Sequence, residues 1–193
     1  MTTKRDHGGG LDAAIRQYGG NRADWIDLST GINPVAYPVP TLSEEAWTAL
    51  PDTGMANRLR DAAKAFWDVP PGADVLAAPG ASALIAQIPR LMPAASVRIP
   101  HPTYNEHAAG FANCGWQVQR EGDAQAQVLV HPNNPDGRLW AASDLTTSLS
   151  IIDESFCDVA PGDSLIGNAA QPGTIVLKSF GKFWGLAGLR LGF

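Results

Sequence analysis

Apolar residues recur at helical spacing over 57–67, where Leu59, Ala62, Ala63 and Phe66 share a face, and the same period returns over 82–91 and 104–113. Between these stretches lie short, nearly continuous apolar runs at 75–78, 97–100, 128–131, 151–153 and 175–178, the pattern of strands buried on both faces. Helices alternating with buried strands predict an α/β fold with a mostly parallel central sheet flanked by helices. Residues 1–52 follow neither period. Rich in Pro and Gly, as in DLSTGINPVAYPVP, they read as an arm and loop segment. Such a segment lies over a ligand crevice or a partner subunit, or is a surface loop without function. Residues 53–193 read as a large domain.

The polar residues fall where these strands end. Gly80-Ala81-Ser82 follows the first run, Thr103-Tyr104 the second, Asn133-Asn134 the third, Asp153 closes the fourth, and Ser179 with Lys182 follows the fifth. In open α/β sheets the ligand crevice lies outside the carboxyl ends of the strands, so this placement predicts one site. Taken singly, each has a plainer reading: Gly80 a helix cap, Tyr104 a core ring, Asn134 part of a good Asn-Pro-Asp-Gly turn, Asp153 a strand-end turn, Lys182 a solvated loop lysine.

Composition narrows the classes. The chain has 193 residues, 45% of them hydrophobic, and a net charge of -5 with no basic run, which argues against a nucleic-acid partner. No apolar stretch is long enough to span a membrane, and MTTKRDHGGG lacks the apolar core of a secretory signal, so a cytoplasmic location is expected. Cys114 and Cys157 sit in no CxxC or Cys/His spacing, and His7, His101, His107 and His131 form no HExxH pair, so no metal is expected.

The stretch SFGKFWGLAGLRLGF carries the strongest chemical signal. It sets Lys182 between the hydroxyl of Ser179 and the guanidinium of Arg190 in a glycine-rich setting. A Walker phosphate loop is excluded, because Phe183 replaces the Ser or Thr after Gly181-Lys182 and Val176 stands where that loop needs glycine. The lysine, the glycine-rich turn and the arginine eight positions on resemble the aspartate-aminotransferase superfamily. That resemblance implies the fold type I of pyridoxal-phosphate-dependent transferases, with pyridoxal 5'-phosphate as cofactor. Lys182 would hold its aldehyde, and Ser179, Arg190 and the helix start at Gly80, Ala81 and Ser82 would hold its phosphate. Asp153 would face the pyridinium nitrogen, Tyr104 would stack on the ring, and Asn134 would donate to its 3-oxygen; Asp136 replaces the usual threonine of that element.

Within the superfamily, four strings in order, HGG from His7, DLSTGINP from Asp27, DESF from Asp153 and KFWGLAGLRLGF from Lys182, resemble the threonine-phosphate decarboxylase family of cobalamin biosynthesis, relatives of the histidinol-phosphate aminotransferases. The resemblance implies decarboxylation of L-threonine O-3-phosphate to aminopropanol phosphate, with Lys182 and Asp153 catalytic. His7, Gly8, Gly31 and Asn134 would lie around an amino-acid phosphate substrate. Gly31 stands where some members have asparagine, and Leu50 where relatives often place a tyrosine that reaches the neighbouring subunit. Phe156 stands where the histidinol-phosphate enzymes have a tyrosine, which favours decarboxylation; transamination of the histidinol-phosphate type is the alternative, and a non-catalytic remnant the third reading.

Relatives of this kind continue past the lysine motif into a C-terminal small domain that these residues do not include, and they form homodimers. The expectation is therefore an incomplete large cofactor-binding domain at 53–193, a fragment without turnover by itself, from a protein that is dimeric when full length. LRLGF reads as the opening of a further strand.

Overall fold

The computed structural model describes residues 8–193. Two helices lie in the N-terminal arm, α1 (Leu11–Tyr18) and the single turn α2 (Glu45–Thr48). α3 (Thr53–Phe66) follows, started by Asp52, whose side chain accepts from the backbone of Met55 at 2.7 Å, a cap worth about 1 kcal/mol. Next come α4 (Ala81–Gln87), strand β1 (Ser96–Arg98) and α5 (Asn105–Asn113), then strands β2 (Gln117–Gln119), β3 (Ala126–Val130), β4 (Leu149–Asp153) and β5 (Thr174–Leu177).

The five strands form one sheet in the order β2-β1-β3-β4-β5, parallel throughout. Every residue of β3 and β4 is buried, which is why their sequences are near-continuous apolar runs. α4 and α5 pack on one face, where Ile85, Ile88, Phe111 and Trp116 meet Val97, Val128, Ile151 and Leu177. A smaller cluster joins α3 to the chain end through Ala63, Trp67, Phe180 and Phe193.

Two elements differ from the sequence pattern. Residues 75–78, expected as a strand, form only one antiparallel bridge, Ala78 to Gly192, while Gly192 also bridges Ser179. A single residue of LRLGF thus links the two flanks, and below it Val75, Leu76, Ile175, Leu177 and Phe193 line an apolar cavity of about 300 Å³. A ladder cannot form where the facing residues are held apart. β2, with two of its three residues exposed, shows no apolar run and carries no strand signal in the sequence.

Candidate active site

The carboxyl ends of β1, β3, β4 and β5 and the start of α4 open on one cavity of about 190 Å³. Its walls include Ala81, Ser82, Tyr104, Asn134, Asp153, Ser179, Lys182 and Arg190, together with Ile32 and Phe156. Gly80 lies at its edge, where an added Cβ would come 2.5 Å from Arg190 Nη2. Residues that are widely separated in sequence are brought together by the parallel topology, which delivers every strand end to the same side.

Asp153 closes β4 at full burial, and both its oxygens have donors. His107 Nε2 lies 2.7 Å from Oδ2, and the Ser155 backbone and hydroxyl donate to Oδ1 at 3.0 and 2.6 Å. Burial opposes ionisation of this carboxyl, but the His107 contact and the Ser155 donors outweigh it and hold the group below the usual carboxylate range. Because a carboxylate only accepts, the proton on this bond belongs to His107 Nε2.

Lys182 is half-buried, its Nζ 5.3 Å from the centre of the Phe156 ring. Burial pushes its ammonium below the ordinary lysine range, and the Asp153 charge works against that shift. The loop around it is fixed by the arm: Asn33 donates its backbone N–H to the Lys182 carbonyl at 3.0 Å and its side chain to the Phe183 carbonyl at 2.9 Å, and Tyr37 donates to the Trp184 carbonyl at 2.8 Å. Gly185, at φ 66°, permits this approach, since a Cβ there would meet Ala36 Cα at 2.8 Å.

Three elements meet at one corner of the cavity, around Ser82, Ser179 and Arg190. Gly80, at φ 84° and ψ 155°, turns the chain into α4 with no capping side chain, and the first two residues of the helix, Ala81 and Ser82, line the cavity. Ser179 Oγ accepts from Gly181 N at 3.1 Å and keeps its own proton to donate. Arg190 adopts a left-handed backbone, φ 51° and ψ 49°, and anchors one guanidinium nitrogen on the Ala187 carbonyl at 3.1 Å. Asn134 is aimed by its neighbours: Asp136 accepts from Asn133 Nδ2 at 2.7 Å and from Arg138 N at 3.1 Å, and Thr103 donates to Asn133 Oδ1 at 2.7 Å. The Asn133 bond leads in holding the Asp136 carboxyl below its usual range.

His7 falls outside the described residues. Gly8 packs against the Ser29 backbone, away from the cavity walls, and Gly31 against Phe156, where a Cβ would come within 2.9 Å of the ring. Leu50 is exposed. Sequence reasoning missed His107, whose signal was its position three residues after Tyr104 on the inner face of α5. The His131, Glu154 and Cys157 ligand atoms lie within 4.8 Å of one another. They are not free for a metal: His131 bonds Trp140 N and the Asp163 carbonyl, Glu154 bonds Ser164, Leu165 N and Lys178, and burial with the Glu154 charge pushes the Cys157 thiol up to about 12.

The family model for aminotransferase class I and II matches residues 23–193. The chain is similar to threonine-phosphate decarboxylases of a Sinorhizobium species, 42% identical, and of Pseudomonas aeruginosa, 38% identical; each match covers 97% of this chain and 61% of the relative. The chain therefore spans about three fifths of the length of these curated relatives. Among solved structures it resembles the histidinol-phosphate aminotransferase of Sinorhizobium meliloti in complex with pyridoxal-5'-phosphate, with a TM-score of 0.60 and 26% identity over 70% of this chain and 45% of that one. With its parallel sheet, strand-end cavity and match across residues 23–193, this chain belongs to the aminotransferase class I and II family.

Proposed function

We propose that these residues form the cofactor-holding part of a pyridoxal-phosphate-dependent threonine-phosphate decarboxylase. The observation that carries the reading is the convergence of Lys182, Asp153, Asn134, Tyr104, Ser179 and Arg190 on one cavity. The donor set fits the group: a half-buried amine for the aldehyde, an ionised buried carboxylate for a ring nitrogen, and hydroxyl, guanidinium and helix N–H donors for a phosphate. When bound, the cofactor supplies an electron sink for the bond broken at the substrate α-carbon.

The chain's own residues do the rest. Lys182 would hold the cofactor aldehyde through Nζ and, as a free amine, would hold or move a proton at that atom. Asp153, kept ionised by His107 and Ser155, would accept a hydrogen bond from a protonated ring nitrogen of the cofactor. Tyr104 presents an aromatic face, edge-on to His107 at 6.1 Å between centroids. Phe156, with Gly31 packed on it, makes the wall beside Lys182 apolar.

Decarboxylation is favoured over amino transfer by the greater identity to the two decarboxylases and by Phe156 at the cavity wall. The substrate would be an amino-acid phosphate, L-threonine O-3-phosphate, and the pathway cobalamin synthesis. The whole protein would be a homodimer: the arm leaves Tyr18, Ile26, Leu28, Trp47 and Leu50 more than two-thirds exposed, an apolar surface suited to a second copy. A cytoplasmic location goes with two free thiols, Cys114 and Cys157.

The test uses the full-length protein loaded with pyridoxal phosphate. Carbon dioxide release from threonine phosphate, with borohydride fixing the cofactor on Lys182, is the expected result. Amino transfer to 2-oxoglutarate without carbon dioxide would move the reading to an aminotransferase, and fixation on a different lysine would end it.

A further inference from the structure

A second set of buried charged groups lies behind the Lys182 loop, outside the cavity walls. Lys178 Nζ sits 2.6 Å from Glu154 Oε2 and 3.5 Å from Asp158 Oδ1, and all three side chains are at least nine-tenths buried. Asp158 also accepts from two indoles, Trp67 Nε1 to Oδ1 at 3.0 Å and Trp184 Nε1 to Oδ2 at 2.7 Å. An indole has a single donor, and Trp184 spends it on this carboxylate. Trp184 is also wedged among Phe66, Phe180, Tyr37 and Phe183, with centroids 5.0 to 5.9 Å away.

We propose that Asp158 is a positioning residue for Lys182: by holding the Trp184 indole it ties the inner side of the Lys182 loop to the body of the fold. The inference rests on the reading that Lys182 is the reactive amine. The loop is gripped on its outer side through the carbonyls of Lys182, Phe183 and Trp184 by the arm, and on its inner side by the Trp184 side chain. Without the bond to Asp158 the Trp184 indole keeps only its ring packing, and the Lys182 loop loses a directional tie to the body of the fold. Lys178 supplies the charge that lets a carboxylate serve as this anchor under burial. Burial leads in lowering the Lys182 ammonium and the Asp153 charge opposes it. The effect of Asp158 is positional, and a displacement of about 1 Å at a reacting group can cost on the order of a hundredfold in rate.

Trp184→Phe removes the donor and keeps an aromatic ring. Ser164→Ala removes a hydroxyl that donates to Glu154 at 2.7 Å in the same buried set and accepts from Ile166 N at 3.2 Å, bonds that do not involve the loop. Lys182 acylation by acetic anhydride is followed against pH by peptide mass spectrometry, without cofactor, alongside thermal melts. Expected in Trp184→Phe is an upward move of the Lys182 midpoint toward an ordinary lysine and roughly tenfold slower covalent capture of pyridoxal phosphate. Ser164→Ala lowers Tm and leaves Lys182 unchanged. An unchanged midpoint in Trp184→Phe overturns the proposal. Should that variant not fold, Asp158→Asn is followed by the same midpoint: an upward move supports the tie, and an unchanged midpoint overturns it. Failure of the unsubstituted chain to capture pyridoxal phosphate at Lys182 would overturn the proposed function, while the acylation profile still decides this inference.

Discussion

His107 Nε2 donates to Asp153 Oδ2 across 2.7 Å, joining α5 to the end of β4 with both side chains shut off from solvent. The bond performs two tasks. It keeps the carboxylate ionised under full burial, and it fixes the edge that Asp153 presents to the cavity.

His107→Phe keeps the ring and removes the donor. A buried carboxylate stripped of one partner is expected to cost about 3 kcal/mol of folding stability. The pH dependence follows from the sign of the shift: the Asp153 carboxyl is lower in the folded chain than in the unfolded one, so its contribution is present above the ordinary carboxylate range and is lost as pH falls through the folded value. Removing His107 raises the folded value, so acid unfolding should begin at higher pH. Urea melts of both chains across the acid range check this, and coincident acid midpoints would sink it.

Lys182 offers a second pH test. Its ammonium is lowered by burial and supported by Asp153, so Asp153→Asn should lower the Lys182 midpoint further, the reverse of what a loosened loop would do. A lowered folded value also means fewer protons bound in the folded chain, so stability gains as pH rises from the folded value to the unfolded one. Lys182→Gln should flatten that gain. Site-resolved acylation against pH measures the first effect and urea melts the second; an upward shift in Asp153→Asn would contradict the assignment.

The strand-end residues were legible because their strands are. Asp153, Ser179 and Asn134 each follow an apolar run long enough to read, and a parallel sheet sends all such ends to one side. The residues that tune them were not legible, because their contacts bridge long sequence gaps without a pattern of their own. His107 reaches Asp153 over 46 positions, and Trp184 reaches Asp158 over 26. Gln127, fully buried in β3, breaks an otherwise apolar strand; it is accommodated by the Asp144 carbonyl and Ser150 hydroxyl, partners that only the fold supplies.

The corner at Gly80 and Arg190 carries the last prediction. Gly80 holds φ 84° and ψ 155°, a region closed to side chains at a cost of about 1–3 kcal/mol. A Cβ there would also press within 2.5 Å of Arg190 Nη2 and 3.1 Å of Cζ, and so drive the guanidinium out of the corner proposed to hold the phosphate. The two costs separate in a double-mutant cycle. Gly80→Ala should lose stability and weaken pyridoxal phosphate capture at Lys182; Arg190→Ala should weaken capture with little loss of stability, its side-chain bond being an exposed one to the Ala187 carbonyl. In the double variant the clash is gone, so stability should recover part of the way and stop short by the backbone strain, while capture stays weak. Additive stability losses would show that the guanidinium does not rest against Gly80. Unimpaired capture in Arg190→Ala would remove the arginine from the phosphate corner altogether.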